Sequence, residues 1–320
     1  MKLVSVAELP KDREKSLRRV VVYEWLTIVS FLTTAFLLFT VMGGSQSVRT
    51  ELIQSILSIV PPVAWLVAAR VRLRPPNGMF PYGYHKAITL AFLCGSVTLL
   101  LLGVVLLYEG GHKVLSGEHP TVGSKLIFGH LIWQGWLMIG ALLISMVPPF
   151  FLGRVKLKLA AQLHDKALFA DARMNAADWL SASAAVVGVL GIGVGWWWLD
   201  GLAASFISVD VLHDGFKNVR SSVADLMDRA PHTVSHEELE LLPRHLVSML
   251  EELPWIDEAQ VRLRDDGHVF FGEAFVRVND SHQLVEKLHS AAEMARRLDW
   301  RLQELVVMPV SELSPEPVAP

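Results

Sequence analysis

The sequence contains few charged residues and almost no cysteine. Asp, Glu, Lys and Arg make up only 19% of its 320 residues, and the net charge is −3. A disordered chain or a protein that coats nucleic acid needs high charge and low hydrophobicity, so both classes are excluded. The one cysteine, Cys94, excludes a disulfide scaffold, and its position inside an apolar run is typical of a small packing residue.

Hydrophobic residues are abundant, and charge is unevenly distributed along the chain. They make up 52% of the sequence, with a mean hydropathy of +0.39, which points to a membrane protein. Residues 1–230 contain 21 Lys and Arg against 15 Asp and Glu, whereas residues 231–320 contain 8 against 17. This division predicts a membrane-embedded domain followed by an acidic soluble domain.

The membrane-embedded part contains six apolar runs, each close to the roughly 20 residues with which a helix crosses about 30 Å of hydrocarbon. The predicted spans are Val20 to Met42, Thr50 to Ala69, Ala87 to Glu109, Phe128 to Leu152, Ala167 to Gly195 and Trp196 to Phe216. The sixth is short and carries Asp210, His213 and Asp214, which form either a solvated helix end or a proton relay. The first run is too long for a signal peptide.

Lys and Arg indicate the orientation, because they are enriched in cytoplasmic segments. The N-terminal segment, the second connection and the fourth connection contain 14 of them, and the fourth contributes Arg154, Lys156, Lys158 and Lys166. Both termini are therefore predicted to be cytoplasmic, in a multi-pass protein of the cell inner or plasma membrane. Trp196, Trp197 and Trp198 would form an aromatic anchor at the outer interface.

The C-terminal part is predicted to form a small two-layer α+β domain with the order αββαβ. Its elements are a helix over Ser235 to Leu253, strands over Ile256 to Arg264 and His268 to Val278, a helix over Ser281 to Leu298 and a strand over Leu302 to Val307. Asp265, Asp266 and Gly267 between the first two strands are a hairpin signal. The predicted organisation is an N-terminal cytoplasmic segment (1–19), the membrane domain (20–216), a linker (217–230), the α+β domain (231–310) and a disordered tail (311–320).

Polar residues inside the spans are the candidate site, because such groups are costly in lipid. Asp171, Asn175 and Asp178 are spaced i, i+4, i+7 and share one face of the fifth span. Gln54 and Ser58 share a face of the second span. Carboxylate and amide oxygens suit a hard cation, so these five residues are the predicted metal ligands. In the alternative interpretation, Asp171 pairs with Arg173 or Lys166 near the membrane surface.

A repeated proline pattern occurs in the second and fourth spans, as Ser58-Ile59-Val60-Pro61-Pro62 and Ser145-Met146-Val147-Pro148-Pro149. Each proline frees the carbonyl four residues earlier. Matching helix interruptions often mark the binding region of a transporter. The alternative is a pair of kinks that shape the bundle.

Two motifs resemble the cation diffusion facilitator, or cation efflux, family of divalent-metal transporters. Pro81-Tyr82-Gly83-Tyr84-His85-Lys86-Ala87 is similar to the family loop HPYGHGKAE, and Ala170 to Asp178 is similar to the fifth-helix motif around HxxxD. The resemblance implies a homodimer with metallochaperone-like cytoplasmic domains and metal export driven by inward proton movement. It also implies that the central ligand positions are Gln54, Ser58, Met174 and Asp178, of which only Asp178 is a carboxylate. In the loop, Asn77 and Tyr84 stand where the family often has Asp and His.

Taken together, the sequence predicts a six-helix membrane protein with a C-terminal ferredoxin-like α+β domain. Its predicted function is transport of a divalent metal cation by exchange for protons, with Asp178 as the principal ligand. The alternative is a scaffold or regulatory membrane protein that keeps the fold without transport. No enzyme motif, cofactor or nucleic-acid partner is expected; the metal ion is the substrate, and the partners are a second copy of the chain and the lipid bilayer.

Overall fold

The structure, a computed structural model, describes residues 11–41, 46–116, 123–127, 130–196, 198–235 and 238–313. Long helices make up its N-terminal part. They are α1 (Lys11–Val41), α2 (Gln46–Leu57), α3 (Val60–Val71), α4 (Ala87–Ser116), α5 (Gln134–Leu163), α6 (Lys166–Val194) and α7 (Trp198–Leu226).

Five segments among the described residues are long and apolar enough to cross a membrane. They are Arg13–Val41, Glu51–Val71, Ala87–Glu109, Gln134–Leu163 and Lys166–Val194. Helix α7 corresponds to the sixth predicted span. Its 29 residues are long enough to cross a membrane, but α7 is not one of these five segments. The helix also continues to Leu226, so much of the predicted linker is helical.

The fourth predicted span lies further along the chain than its hydrophobicity suggested. Helix α5 begins at Gln134 instead of Phe128, and the residues before it form a hairpin of β1 (Ser124–Ile127) and β2 (His130–Trp133). The helix continues to Leu163, eleven residues beyond the predicted end at Leu152. Lys156, which the charge pattern placed in the fourth connection, is therefore inside α5, where its side chain is fully buried.

The two proline pairs have different effects on their helices. In the second span the helix is interrupted, since α2 ends at Leu57 and α3 begins at Val60. Pro61 and Pro62 lie in the first turn of α3, where a missing backbone N–H is tolerated. Pro148 and Pro149 lie inside α5, which remains one helix. The predicted interruption is therefore present in the second span and absent from the fourth.

Helices α4 and α7 pack antiparallel with their backbones in close contact. A Cβ atom added to Gly103 would lie 2.8 Å from the Leu212 backbone, and one added to Gly215 would lie 2.6 Å from the Leu100 Cα atom. Only glycine allows this approach, as at other membrane-helix interfaces with small residues. The contact positions α7 against the span α4.

The C-terminal domain has the predicted αββαβ order. It consists of α8 (Leu242–Glu251), β3 (Ile256–Asp265), β4 (Phe270–Val278), α9 (Leu284–Leu298) and β5 (Leu302–Val310). The sheet order is β3-β4-β5, with β3 and β4 antiparallel and β4 and β5 parallel. Leu246, Leu250, Phe270, Ala274 and Ala295 are among the buried residues of its core.

The β3–β4 hairpin tip inserts against the end of the helical bundle. Gly267, at the tip, has φ +85°, and a Cβ atom there would lie 2.9 Å from the Ile88 Cβ atom of α4. Beside it, the Lys166 Nζ atom at the start of α6 lies 2.9 Å from a carboxylate oxygen of Asp265 and 2.9 Å from one of Asp225. The C-terminal domain and the helical bundle therefore meet through buried charged groups.

His268, in the same hairpin, is buried without a hydrogen-bond partner on either ring nitrogen among the described residues. Its Nε2 atom lies 3.6 Å from a carboxylate oxygen of Asp165. Burial and the positive charge of Arg72 lower the pKa of His268 to about 4. The docked hairpin therefore holds a neutral imidazole at pH values at which an exposed histidine gains a proton.

We expect docking of the hairpin to weaken in mild acid. As the pH falls from about 6.5 towards 4, the unfolded chain binds a proton that native His268 does not, which costs the native state about 2 kcal/mol at pH 5. His268→Gln should therefore show a smaller fall in melting temperature between pH 7.5 and pH 5 than the wild type. His282→Gln, at an exposed position, is the control. An equal fall in melting temperature for His268→Gln and the wild type would show that His268 is not the cause of the acid sensitivity.

Candidate functional site

The break between α2 and α3 places Ser58 opposite α6. The Ser58 hydroxyl donates a 2.7 Å hydrogen bond to the Asp178 Oδ1 atom, and both residues are buried. Two of the predicted ligands are thus in direct contact across the helix interface. The Asp178 Oδ2 atom has no hydrogen-bond partner among the described residues, so one carboxylate oxygen remains available.

A second contact, between α2 and α6, lies about one turn of α6 further along, at Ser181. The Ser181 hydroxyl of α6 lies 2.9 Å from the Gln54 Oε1 atom and 3.2 Å from the Glu51 Oε2 atom, both on α2. All three residues are buried. The Gln54 amide nitrogen has no partner among the described residues. The polar site between α2 and α6 therefore consists of Glu51, Gln54, Ser58, Asp178 and Ser181.

The site contains two carboxylates, one on each helix. Glu51 and Asp178 form no ion pair in the described part of the chain. Two carboxylates balance the charge of one divalent cation, and Gln54, Ser58 and Ser181 add neutral oxygens. No group of three or more His, Cys, Asp or Glu side chains with metal-binding geometry occurs among the described residues. Oxygen atoms of these kinds are the ligands that hard cations prefer.

Asp171 and Asn175 have other partners in this structure. The Asp171 carboxylate accepts a hydrogen bond from the Lys156 ammonium of α5, which also donates to the Glu24 Oε2 atom of α1 at 2.8 Å. Neither of its two suggested partners, Arg173 and Lys166, is the residue that binds it. The Asn175 side chain donates to the Asp171 carbonyl at 2.9 Å, and its Oδ1 atom is unpartnered among the described residues.

Arg173 instead forms an ion pair with Asp214 of α7. Asp214 belongs to the polar cluster of the sixth predicted span, together with His213, which is exposed. The side chain of Asp210 lies outside the described part of the chain. Asp214 lies in the interior of α7, which continues to Leu226, so the expected solvated helix end is not found there, and the proton relay stays a prediction.

One carboxylate connects α3 with the beginning of α6. The Asp165 Oδ1 atom caps α6 by accepting a 2.9 Å bond from the Leu168 N–H, and its Oδ2 atom accepts a 2.6 Å bond from the Trp65 indole of α3. Asp165 and Trp65 are both buried. Asp165 lies 13 residues before Asp178 on α6, and Trp65 lies seven residues after Ser58. This contact fixes the relative positions of α3 and α6.

The loop before α4 is stabilised by its own hydrogen bonds. The Asn77 Oδ1 atom accepts bonds from the Met79 and Phe80 backbone N–H groups, and the Asn77 amide donates to the Tyr84 hydroxyl at 2.8 Å. The two residues that differ from the family motif therefore bond to each other. Their polar groups have partners without a metal ion.

Four residues of these polar networks were not selected from the sequence. Glu51 is an ionisable residue near the start of the second predicted span, and Ser181 carries no signal that distinguishes it from other serines in a helix. Glu24 and Lys156 are ionisable residues within apolar helices, and that property alone could have marked them. Met174, at a predicted family ligand position, instead packs with Leu99 and Leu102 in a hydrophobic cluster.

The long apolar helices and the buried carboxylate site between them define an integral membrane protein of the ion-carrier class. Residues 24–227 match the family described as the cation efflux transmembrane domain, and the chain belongs to this family of transporters. It is similar to the manganese efflux system protein MneP of Bacillus subtilis, with 24% identity over 286 residues, 87% of this chain and 89% of the relative.

Two further relatives come from the same organism. The manganese efflux system protein MneS is 22% identical over 294 residues, 91% of this chain and 92% of the relative. The uncharacterized transporter YdbO is 26% identical over 230 residues, 70% of this chain and 73% of the relative. The predicted family is confirmed, and the chain is a cation-efflux transporter.

Proposed function

We propose that this protein exports a hard divalent metal cation, such as Mn²⁺, which binds between Glu51 of α2 and Asp178 of α6. The observation that carries the proposal is the pair of buried carboxylates on facing helices, neither of which has a cationic partner in the described residues. Two such charges are costly in a lipid-embedded site unless a cation or protons neutralise them.

The ligand set favours Mn²⁺ over Zn²⁺. Zinc sites in proteins are built mainly from cysteine and histidine, and the proposed site contains neither. Manganese binds well to carboxylate, amide and hydroxyl oxygens. The names of MneP and MneS support the same ion. Asn175 and Asp171, the other predicted ligands, lie about one and two turns before Asp178 on α6, respectively, and would act along the path of the ion.

We assign proton exchange to the same two carboxylates, Glu51 and Asp178. When the ion leaves, Glu51 and Asp178 would remain as two like charges without counterions, and protons are the simplest replacement. Met174, at one of the ligand positions implied by the family resemblance, has no titratable group, and its side chain packs among apolar residues. The proposal therefore assigns the exchanged protons to carboxylates instead of histidine.

The proposed topology has α7 as a sixth span and both termini in the cytoplasm. Its close packing on α4 supports the sixth span, because α7 lies along a helix that meets the criteria for a span. The exposed rings of Trp196 and Trp198, stacked 6.5 Å apart, would anchor the opposite surface; Trp197 is outside the described residues. The homodimer implied by the family resemblance remains part of the proposal.

Flux measurements on the purified protein in liposomes test the proposed function. With a Mn²⁺-sensitive dye and a pH-sensitive dye, we expect Mn²⁺ movement in one direction and proton movement in the other. Glu51→Gln should stop both, whereas Glu286→Gln, an exposed change on α9, should stop neither. If no divalent ion is transported, and calorimetry detects no binding at millimolar concentration, the scaffold alternative is correct.

A further inference from the structure

A buried ion cluster lies on the side of the proposed site that faces the C-terminal domain. Asp171 is seven residues before Asp178, so the two carboxylates are separated by about 10 Å along α6. Lys156 comes from α5 and Glu24 from α1, and the three side chains are at most 2% exposed. Helices α1, α2, α5 and α6 therefore contribute to one line of buried polar groups, which extends from Glu24 to Glu51.

The cluster contains two carboxyl groups and one cation in the part of the chain that the structure describes. The Lys156 ammonium bonds to the Asp171 carboxylate and to the Glu24 Oε2 atom, so two carboxylates share one positive charge. The Glu24 Oε1 atom is buried and has no partner among the described residues. A purely structural ion pair needs only one carboxylate, and a second costs desolvation without a matching cation. The two carboxylates have the charge that a divalent cation requires.

We propose that Glu24 and Asp171 form a second binding site for the transported cation, which the Lys156 ammonium occupies when the ion is absent. This inference rests on the proposed function. The ammonium is a compact charge on a flexible four-carbon stem, so it can withdraw when the ion arrives and return when it leaves towards Asp178. The Asn175 Oδ1 atom, unpartnered one turn further along α6, is an additional oxygen on this path.

Removal of the ammonium should turn the cluster into a permanent metal site. Lys156→Met keeps an unbranched apolar side chain but leaves Glu24 and Asp171 without their cation. The substitution is made in an Asp178→Asn background, so that the central site does not contribute. We expect the melting temperature of this double variant to rise by roughly 5 °C at a Mn²⁺ concentration about 100-fold above the dissociation constant.

The matched control adds Glu24→Gln to the double variant. This change removes one of the two carboxylates and should abolish the response to Mn²⁺, whereas Glu252→Gln, on an exposed residue, should preserve it. An absent response in the double variant, or an equal response after Glu24→Gln, would overturn the second site. Neither result concerns the proposed function, which fails separately if Asp178→Asn leaves Mn²⁺ transport by the otherwise unchanged protein intact.

A second variant keeps the test decisive if Lys156→Met does not fold. Lys156→Arg retains the positive charge but replaces a mobile ammonium with a planar group that binds carboxylates more rigidly. Mn²⁺ should then displace the side chain at position 156 less easily. The apparent KM for Mn²⁺ transport in liposomes should rise about tenfold, because one further good hydrogen bond to a charged group corresponds to a change of that size. An unchanged KM would show that Lys156 does not compete with the ion.

Discussion

Asp178→Asn is expected to abolish measurable Mn²⁺ transport. The substitution keeps the size of the side chain and an oxygen that can accept the 2.7 Å bond from Ser58, but it removes one of the two charges of the proposed site. Loss of one partner from a buried charged pair costs about 2–5 kcal/mol. That cost corresponds to an affinity roughly 30-fold to 3,000-fold weaker.

Liposome flux and calorimetry measure this result, and two controls separate charge from packing. Asp257→Asn makes the same chemical change at an exposed position in β3 and should leave transport unaltered. Ser58→Ala removes the hydrogen bond and keeps the charge, so we expect an effect of about 1 kcal/mol, near fivefold in affinity. Normal Mn²⁺ binding by Asp178→Asn would remove Asp178 from the list of ligands.

Gly103→Ala is expected to destabilise the protein through the contact between α4 and α7. The new methyl group would lie 2.8 Å from the Leu212 backbone, and backbone atoms within a helix cannot move aside as a side chain can. Overpacking of this kind costs about 1–3 kcal/mol. Thermal unfolding in detergent should show a lower melting temperature, and Gly215→Ala, on the other side of the same contact, should have a similar effect.

Gly111→Ala provides the matched control because it lies in the same helix. A Cβ atom at Gly111 would meet no described atom within 4 Å, so the added methyl group is accommodated. Alanine is a better helix former than glycine by about 0.5–1 kcal/mol, and this variant should be as stable as the wild type or more stable. If Gly103→Ala and Gly111→Ala have equal melting temperatures, the close contact does not exist in the protein.

The sequence predicted the elements well where one local signal dominated. The αββαβ order followed from alternating strands, amphipathic helices and the Asp265-Asp266-Gly267 turn. The predicted start of α5 was wrong because residues 131 to 133 are apolar, and hydrophobicity does not distinguish a short strand from the beginning of a helix. Interruption of the second span but not the fourth could not be predicted, since both contain the same proline pair.

The site was only partly accessible to sequence reasoning. A face shared by Asp171, Asn175 and Asp178 follows from helix periodicity, but periodicity does not identify which other helix each residue meets. In the structure Asp178 faces Ser58, and Asp171 faces Lys156 of α5, which the loop charge count had placed outside the membrane. Glu51 became a candidate ligand only because Ser181 of α6 lies within hydrogen-bond distance of it.

The sequence by itself determined that this protein crosses a membrane, that an acidic α+β domain follows and that the chain resembles the cation efflux family. These conclusions depend on composition, periodicity and short motifs, which are local properties. The tertiary structure alone decided which charges meet in the bundle. It pairs α2 with α6, where two carboxylates have no cationic partner among the described residues, and it places Lys156 beside Glu24 and Asp171. Contacts between distant helices depend on how the helices pack and not on spacing along one helix.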